Sequence, residues 1–117
     1  MAQRVKARAF NRPKNQREAL MRSLARSLIL HEGISTTEAK AKELRPIIEK
    51  LVTSARVDSV ANRRLVSSRL GNDDEIVKKM FTEIAPRYAT RPGGYTRIVK
   101  RAPNAVNARD NAYIAFI

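Results

Sequence analysis

The sequence predicts an α+β fold: four helices packed on a small sheet at the C-terminal end, preceded by an extended basic arm. Three observations carry this expectation. Apolar residues recur with helical period between residues 15 and 84, the period turns to alternation after Pro86, and the first thirteen residues hold neither an apolar period nor an acid. A chain of 117 residues suits one domain with a real core. The expected division is an arm at 1–13, too polar to fold without a ligand, and a globular domain at 14–117.

Helix one is predicted from about Asn15, where Leu20, Leu24 and Leu28 form a stripe with Met21 and Ala25 beside them. Asn15 with Glu18 resembles a capping box, and Gly33 offers a C-terminal stop. Ile34 to Thr37 reads as a short hydroxyl-rich extension, in which Ser35 or Thr36 can cap helix two and Glu38 can close a capping box with Ser35. Leu44, Ile48, Leu51 and Ala55 then mark the buried face of helix two, and Pro46 inside the pattern predicts a kink or a late start. Asp58 or Ser59 caps helix three, with Ala61, Leu65 and Val66 inward and a stop near Gly71. Helix four opens at Asn72 or Asp73 and carries Ile76, Val77, Met80, Phe81 and Ile84 to Pro86.

Beyond the Pro92-Gly93-Gly94 turn, Tyr95, Arg97, Val99 and Arg101 share one strand face, and Thr96, Ile98 and Lys100 the other. Residues 112–117 form a second strand. The connection between the two is too long for a tight hairpin and is expected to be a mobile loop.

Charge points to the partner. Twenty-four Lys and Arg against eleven Asp and Glu give +13, and the excess sits at the two ends. Residues 1–30 carry eight basic side chains against Glu18, and residues 84–109 carry six against none, whereas residues 31–83 hold ten basic and nine acidic ones. A near-neutral body with basic flanks is suited to a polyanion. With no cysteine, disulfides and thiolate metal sites are excluded, and a reducing compartment is expected. No run approaches the roughly 18 apolar residues of a membrane span, and the first twenty residues lack an apolar signal segment, so neither insertion nor secretion is expected. The Arg-rich start is transit-peptide-like only in part, because hydroxyl residues are few.

The one carboxylate cluster, Asp73, Asp74 and Glu75, opens a helix, where acids bind free amides and favour the dipole; no second cluster completes a metal pair. His31 is the sole histidine, so neither a triad nor a zinc site can form around it. No cofactor, metal or small-molecule substrate is expected, and no enzymatic activity. Gly93 and Gly94 lack the Lys and Ser/Thr of a phosphate-binding P-loop, but Arg87, Tyr88, Arg91, Tyr95 and Arg97 surround them. Arginines grip phosphates bidentately, tyrosines stack on unpaired bases, and glycine amides approach a backbone closely. Either tyrosine can instead complete the core. Arg63 and Arg64 point about 100° apart on a helix, so at least one faces out. The candidate nucleic-acid-binding residues are thus Arg4, Lys6, Arg8, Arg12, Lys14, Arg63, Arg64, Arg87, Arg91, Gly93, Gly94, Tyr95, Arg97, Lys100 and Arg101. A helix-turn-helix DNA-binding module built on helices three and four is the rival, weakened by the three acids at the start of helix four.

KAKELRPIIEKL at 40–51, DSVANRRLV at 58–66 and PRYATRPGGYTRIVK at 86–100 resemble the bacterial large-subunit ribosomal protein seventeen family. The similarity extends to Asn11, Arg12, Ile34, Thr36, Thr37 and the final AYIAFI. It implies a non-enzymatic constituent of the large ribosomal subunit, bound to large-subunit ribosomal RNA near the polypeptide exit and beside other large-subunit proteins. The expected location is the cytoplasm, with an organellar ribosome as the alternative. The resemblance assigns RNA binding to the arm residues Arg4, Lys6, Arg8 and Arg12, and to Arg63, Arg64, Arg91, Arg97 and Lys100. The chain departs from the family at Ala7-Arg8-Ala9-Phe10, in place of a Gly-Arg pair, and in the 102–111 loop, which has Asn104, Val106 and Asn107 where the family has an Arg and Gly-Asp pattern.

Overall fold

A computed structural model describes residues 13–101 and 111–117. The arm residues Arg4, Lys6, Arg8 and Arg12 and the expected mobile loop lie outside the described residues. Helix α1 spans Lys14–His31 and buries Met21, Ala25, Leu28 and Ile29. The stripe is therefore turned by about one residue from the expected one, leaving Leu20 and Leu24 half-buried. The Asn15–Glu18 capping box does not form, because the N-cap is Pro13, two residues earlier, its carbonyl accepting from the Arg17 amide at 2.9 Å. Gly33 is not the stop either. Glu32 takes the left-handed conformation (φ 64°), and its amide returns to the Leu28 carbonyl at 2.7 Å.

Gly33–Thr37, read from sequence as an extension, is strand β1. Its last residue, rather than Ser35 or Thr36, caps helix α2 (Glu38–Ala55), the Thr37 hydroxyl accepting from the Lys40 amide at 3.2 Å. The expected face is buried, Leu44, Ile48, Leu51 and Ala55 being joined by Ala41 and Val52. Pro46 does not delay the start; it lies inside the helix on the exposed side, where water can reach the carbonyl it leaves unpaired. Ser59 caps helix α3 (Val60–Arg69), in which only Val66 is buried while Ala61 and Leu65 are exposed.

Asp73 caps helix α4 (Asp74–Lys79), accepting from the Ile76 amide at 3.3 Å. The helical path then widens to a π turn at Met80–Ile84 and tightens to a 3₁₀ turn at Ala85–Tyr88. It passes the expected stop at Pro86 because proline falls in the first turn of the new segment, where its missing N–H is not needed. Strands β2 (Thr96–Arg101) and β3 (Asn111–Phe116) complete an antiparallel sheet in the order β1-β3-β2. The register pairs Ile34 with Ile114 and Ile98 with Ile114, so these side chains share the face that packs on α2. Thr96, Ala112 and Phe116 lie on that face too, and Gly33, Ser35, Arg97, Val99, Arg101, Tyr113 and Ala115 on the other.

Candidate nucleic-acid interface

The Gly-Gly turn is held from beneath by one carboxylate. Glu49, on α2, accepts from the Gly94 amide through Oε1 at 3.1 Å. Its Oε2 accepts from the Tyr95 and Thr96 amides at 3.0 Å each and from the Thr96 hydroxyl at 2.9 Å. Three successive amides and a hydroxyl thus converge on a single acid, as backbone nests converge on an anion. Gly94 takes φ 68°, a conformation costly for side chains with a Cβ, and space above it is open. Arg91 closes the outer side, donating from Nη1 to the Gly94 carbonyl at 3.1 Å, with its guanidinium 5.4 Å from the centre of the Tyr88 ring. Sequence reasoning missed Glu49, since a lone acid on a helix reads as a solvated residue.

Both tyrosines near the turn complete the core. Tyr95 is fully buried and Tyr88 nearly so, their ring centres 5.1 Å apart. Tyr95 was expected among the binding residues; its ring is covered by protein and cannot stack on a base, so this expectation is corrected to a structural role. Its hydroxyl meets the Thr53 hydroxyl at 3.1 Å and accepts from Arg56 Nη1 at 3.2 Å. The same Arg56 reaches the Ala89 carbonyl through Nη2 at 3.1 Å, which ties the end of α2 to the start of the turn. Burial pushes the Tyr88 phenol above its ordinary pKa, and it donates to the Ile117 main-chain oxygen at 2.6 Å.

The remaining candidates divide by position. Arg97 and Arg101 project from the outer sheet face, whereas Lys100 belongs to the opposite face at the strand end; all three are exposed. Arg87 is engaged by Glu32, Nη1 to Oε1 at 2.6 Å, and Lys79 takes the other oxygen at 3.3 Å. The Arg87 hydrogen bond leads in holding the Glu32 carboxyl well below its ordinary range, at about 2. Lys79 also reaches the Leu30 carbonyl at 2.9 Å, satisfying the end of α1. Arg63 grips Asp58 with two hydrogen bonds, at 2.6 and 2.8 Å, and lies 4.9 Å from the Phe81 ring centre. That hydrogen bond lowers the Asp58 pKa. Arg64 is exposed. Helix α3, which carries Arg63 and Arg64, packs on α2 and α4.

A groove of about 1010 Å³ is lined by α1, α2, α3 and the turn. Its lining includes Lys14, Arg17 and Arg22 of α1, Lys50 of α2, Arg69 of α3, and Pro92 and Gly93 of the turn, with the acids Glu18, Glu43 and Glu49. The root of the N-terminal basic segment and the Gly-Gly turn thus face one channel. Arg22, Lys50 and Arg69 were not singled out from sequence, because they lie in the near-neutral or helical stretches where a basic residue is ordinary.

Comparison with known protein families matches residues 20–117 to the family described as ribosomal protein L17. The chain belongs to that family. It is a structural protein of the large ribosomal subunit, and every element that frames the turn lies within the matched region except the first six residues of α1. Membership gives no support to the helix-turn-helix alternative. Helix α4 holds six residues and opens on Asp74 and Glu75 behind an Asp73 cap. Among the described residues no three His, Asp or Glu side chains converge as a metal would require, and no helix is long and apolar enough to cross a membrane.

Proposed function

We propose that this ribosomal protein binds and stabilises folded large-subunit ribosomal RNA through two basic surfaces, and that it has no catalytic role. The arm residues Arg4, Lys6, Arg8 and Arg12, continued by Lys14, supply phosphate neutralisation. The turn at Gly93 and Gly94, with Arg91, Arg97, Lys100 and Arg101, supplies a rigid surface that recognises one RNA shape. One observation carries this reading: Lys14 and Arg17, which follow the basic arm in sequence, line the same groove as Pro92 and Gly93 of the turn. Arg64 adds charge on α3, while Arg63 and Arg87 act mainly by bonding Asp58 and Glu32. Large-subunit ribosomal RNA and adjacent large-subunit proteins are the partners, in a cytoplasmic ribosome.

The test is a salt titration of full-chain binding to large-subunit ribosomal RNA transcribed in vitro. With about eight phosphates neutralised, log affinity falls with log salt at a slope near −7. Deleting residues 1–13 makes that slope shallower and weakens co-sedimentation with large subunits. A salt-insensitive interaction, or absence of the protein from isolated large subunits, overturns the proposal.

A further inference from the structure

The outer face of the sheet carries a feature that the turn-and-arm reading leaves unused. Tyr113 stands at the centre of β3, the middle strand, with Ser35 and Val99 beside it in register. Its ring lies along the sheet over Gly33: a Cβ placed on Gly33 would clash with the Tyr113 hydroxyl and come within 2.6 Å of Cζ. The Arg101 guanidinium sits over the ring, 4.9 Å from its centre. Strand, ring and guanidinium therefore form one stack, in which the ring holds the arginine in place. Arg97 projects from the same face two positions beyond Val99, and Val99 is 44% exposed. No acid shares this face among the described residues, and α2 packs on the opposite one.

We propose that the open sheet face extends the turn-and-strand RNA-binding surface: the Arg101–Tyr113 pair stacks an unpaired base of large-subunit ribosomal RNA and Arg97 takes an adjacent phosphate. The proposal rests on the ribosomal-RNA reading and extends it to Tyr113. The chemistry is favourable because a guanidinium plane is itself a stacking surface for a base, and its free N–H edge can donate to phosphate or base edges. A peptide partner is disfavoured by the charge, two arginines with no compensating acid. The arrangement also assigns Tyr113 a positioning role, since without the ring Arg101 is a long side chain free to sample many rotamers.

The experiment uses the full chain, a twelve-nucleotide oligo(A) strand and the transcribed large-subunit RNA. The sequence holds three tyrosines and no tryptophan, and Tyr88 and Tyr95 are buried, so quenching of tyrosine emission by the oligonucleotide reports chiefly on Tyr113. Quenching is expected in the parent chain and lost in Tyr113→Leu. Tyr113→Leu should weaken oligonucleotide binding about 5- to 150-fold, the range that one base–aromatic stack supplies, without changing the salt slope. Tyr113→Phe, which keeps the ring, should recover most of the loss. Arg101→Lys keeps the charge but not the plane, and should weaken binding in the same direction. Unquenched emission, or affinity unaltered in Tyr113→Leu and Arg101→Lys while the ribosomal RNA still binds with its steep salt slope, overturns this proposal alone. Failure of the parent chain to bind the ribosomal RNA overturns the underlying reading with it.

Discussion

Glu49→Gln separates the anchor of the Gly-Gly turn from everything around it, because it preserves size while removing the charge and one acceptor. In the parent chain Oε2 accepts three hydrogen bonds and Oε1 one. A carboxamide placed to satisfy the three with its oxygen turns its NH₂ towards the Gly94 amide, donor against donor. Hydrogen bonds to a charged partner contribute about 1.5–3 kcal/mol each and neutral ones about 0.5–1.5 kcal/mol. Weakening three and losing a fourth, with allowance for partial exposure of the site, costs about 2–4 kcal/mol. Against a total of about 5–15 kcal/mol the fold survives. At about 4 °C per kcal/mol, thermal unfolding followed by circular dichroism should fall by roughly 8–16 °C. Hydrogen exchange localises the effect: the Gly94, Tyr95 and Thr96 amides should lose protection before the sheet does. A midpoint within about 2 °C of the parent, or unchanged exchange at those amides, would show that the turn holds its shape without the carboxylate.

Three further outcomes follow from contacts around the site. Tyr95→Phe removes the hydroxyl shared by Thr53 and Arg56, and should cost about 1–2 kcal/mol in urea unfolding; the buried Arg56 Nε already has no hydrogen-bond partner among the described residues. Gly33→Ala drives a Cβ into Tyr113 and should cost about 1–3 kcal/mol, a loss that Tyr113→Ala in the same chain largely recovers. Glu32, whose folded pKa of about 2 lies below the ordinary 4.5, contributes stability that is full above pH 4.5 and lost as pH falls towards 2. Its side chain is 36% exposed, so solvent screening limits the contribution to about 1 kcal/mol; Glu32→Gln should flatten that part of the pH–stability curve.

What the sequence made legible follows the range of the forces involved. The face of α2 could be read because Leu44, Ile48, Leu51 and Ala55 repeat at helical spacing and all four are buried. The strand alternation of Arg97 and Arg101 against Thr96 and Ile98 could be read for the same reason. In α1 the leucines suggested one stripe, but packing against α2 and α4 selected Met21, Ala25, Leu28 and Ile29, a choice no local pattern decides. Strand β1 was hidden because five residues of mixed polarity become a strand only beside β3, whose paired residues lie 74 to 82 positions later. Gly33 offers a similar lesson. Its glycine is needed for the closeness of Tyr113, not for a helix stop, and Glu32 takes the left-handed turn instead. Glu49 was the largest omission at the site, since all the partners of its carboxylate lie 45 to 47 residues away.

The acids explain why the middle of the chain reads as neutral while the whole chain carries +13. Glu32 holds Arg87 and Lys79, Asp58 holds Arg63, and Glu38 holds Lys42. Arg64, Arg91, Arg97, Lys100 and Arg101 form no ion pair with a carboxylate among the described residues. The fold therefore sorts its cations: some are fixed by acids to build the scaffold, and the rest are left for an external anion. Glu49 belongs to the first system although its partners are amides, and this gives opposite signs to two measurements on Glu49→Gln. Loss of a negative charge strengthens attraction to any polyanion, so elution from heparin should move to equal or higher salt. Loosening the turn that carries Arg91 and Arg97 should weaken binding to folded ribosomal RNA, where shape must match. If both affinities rise together, charge alone governs binding and the rigid turn contributes nothing to recognition; divergence is the signature of a surface held in shape by its own acid.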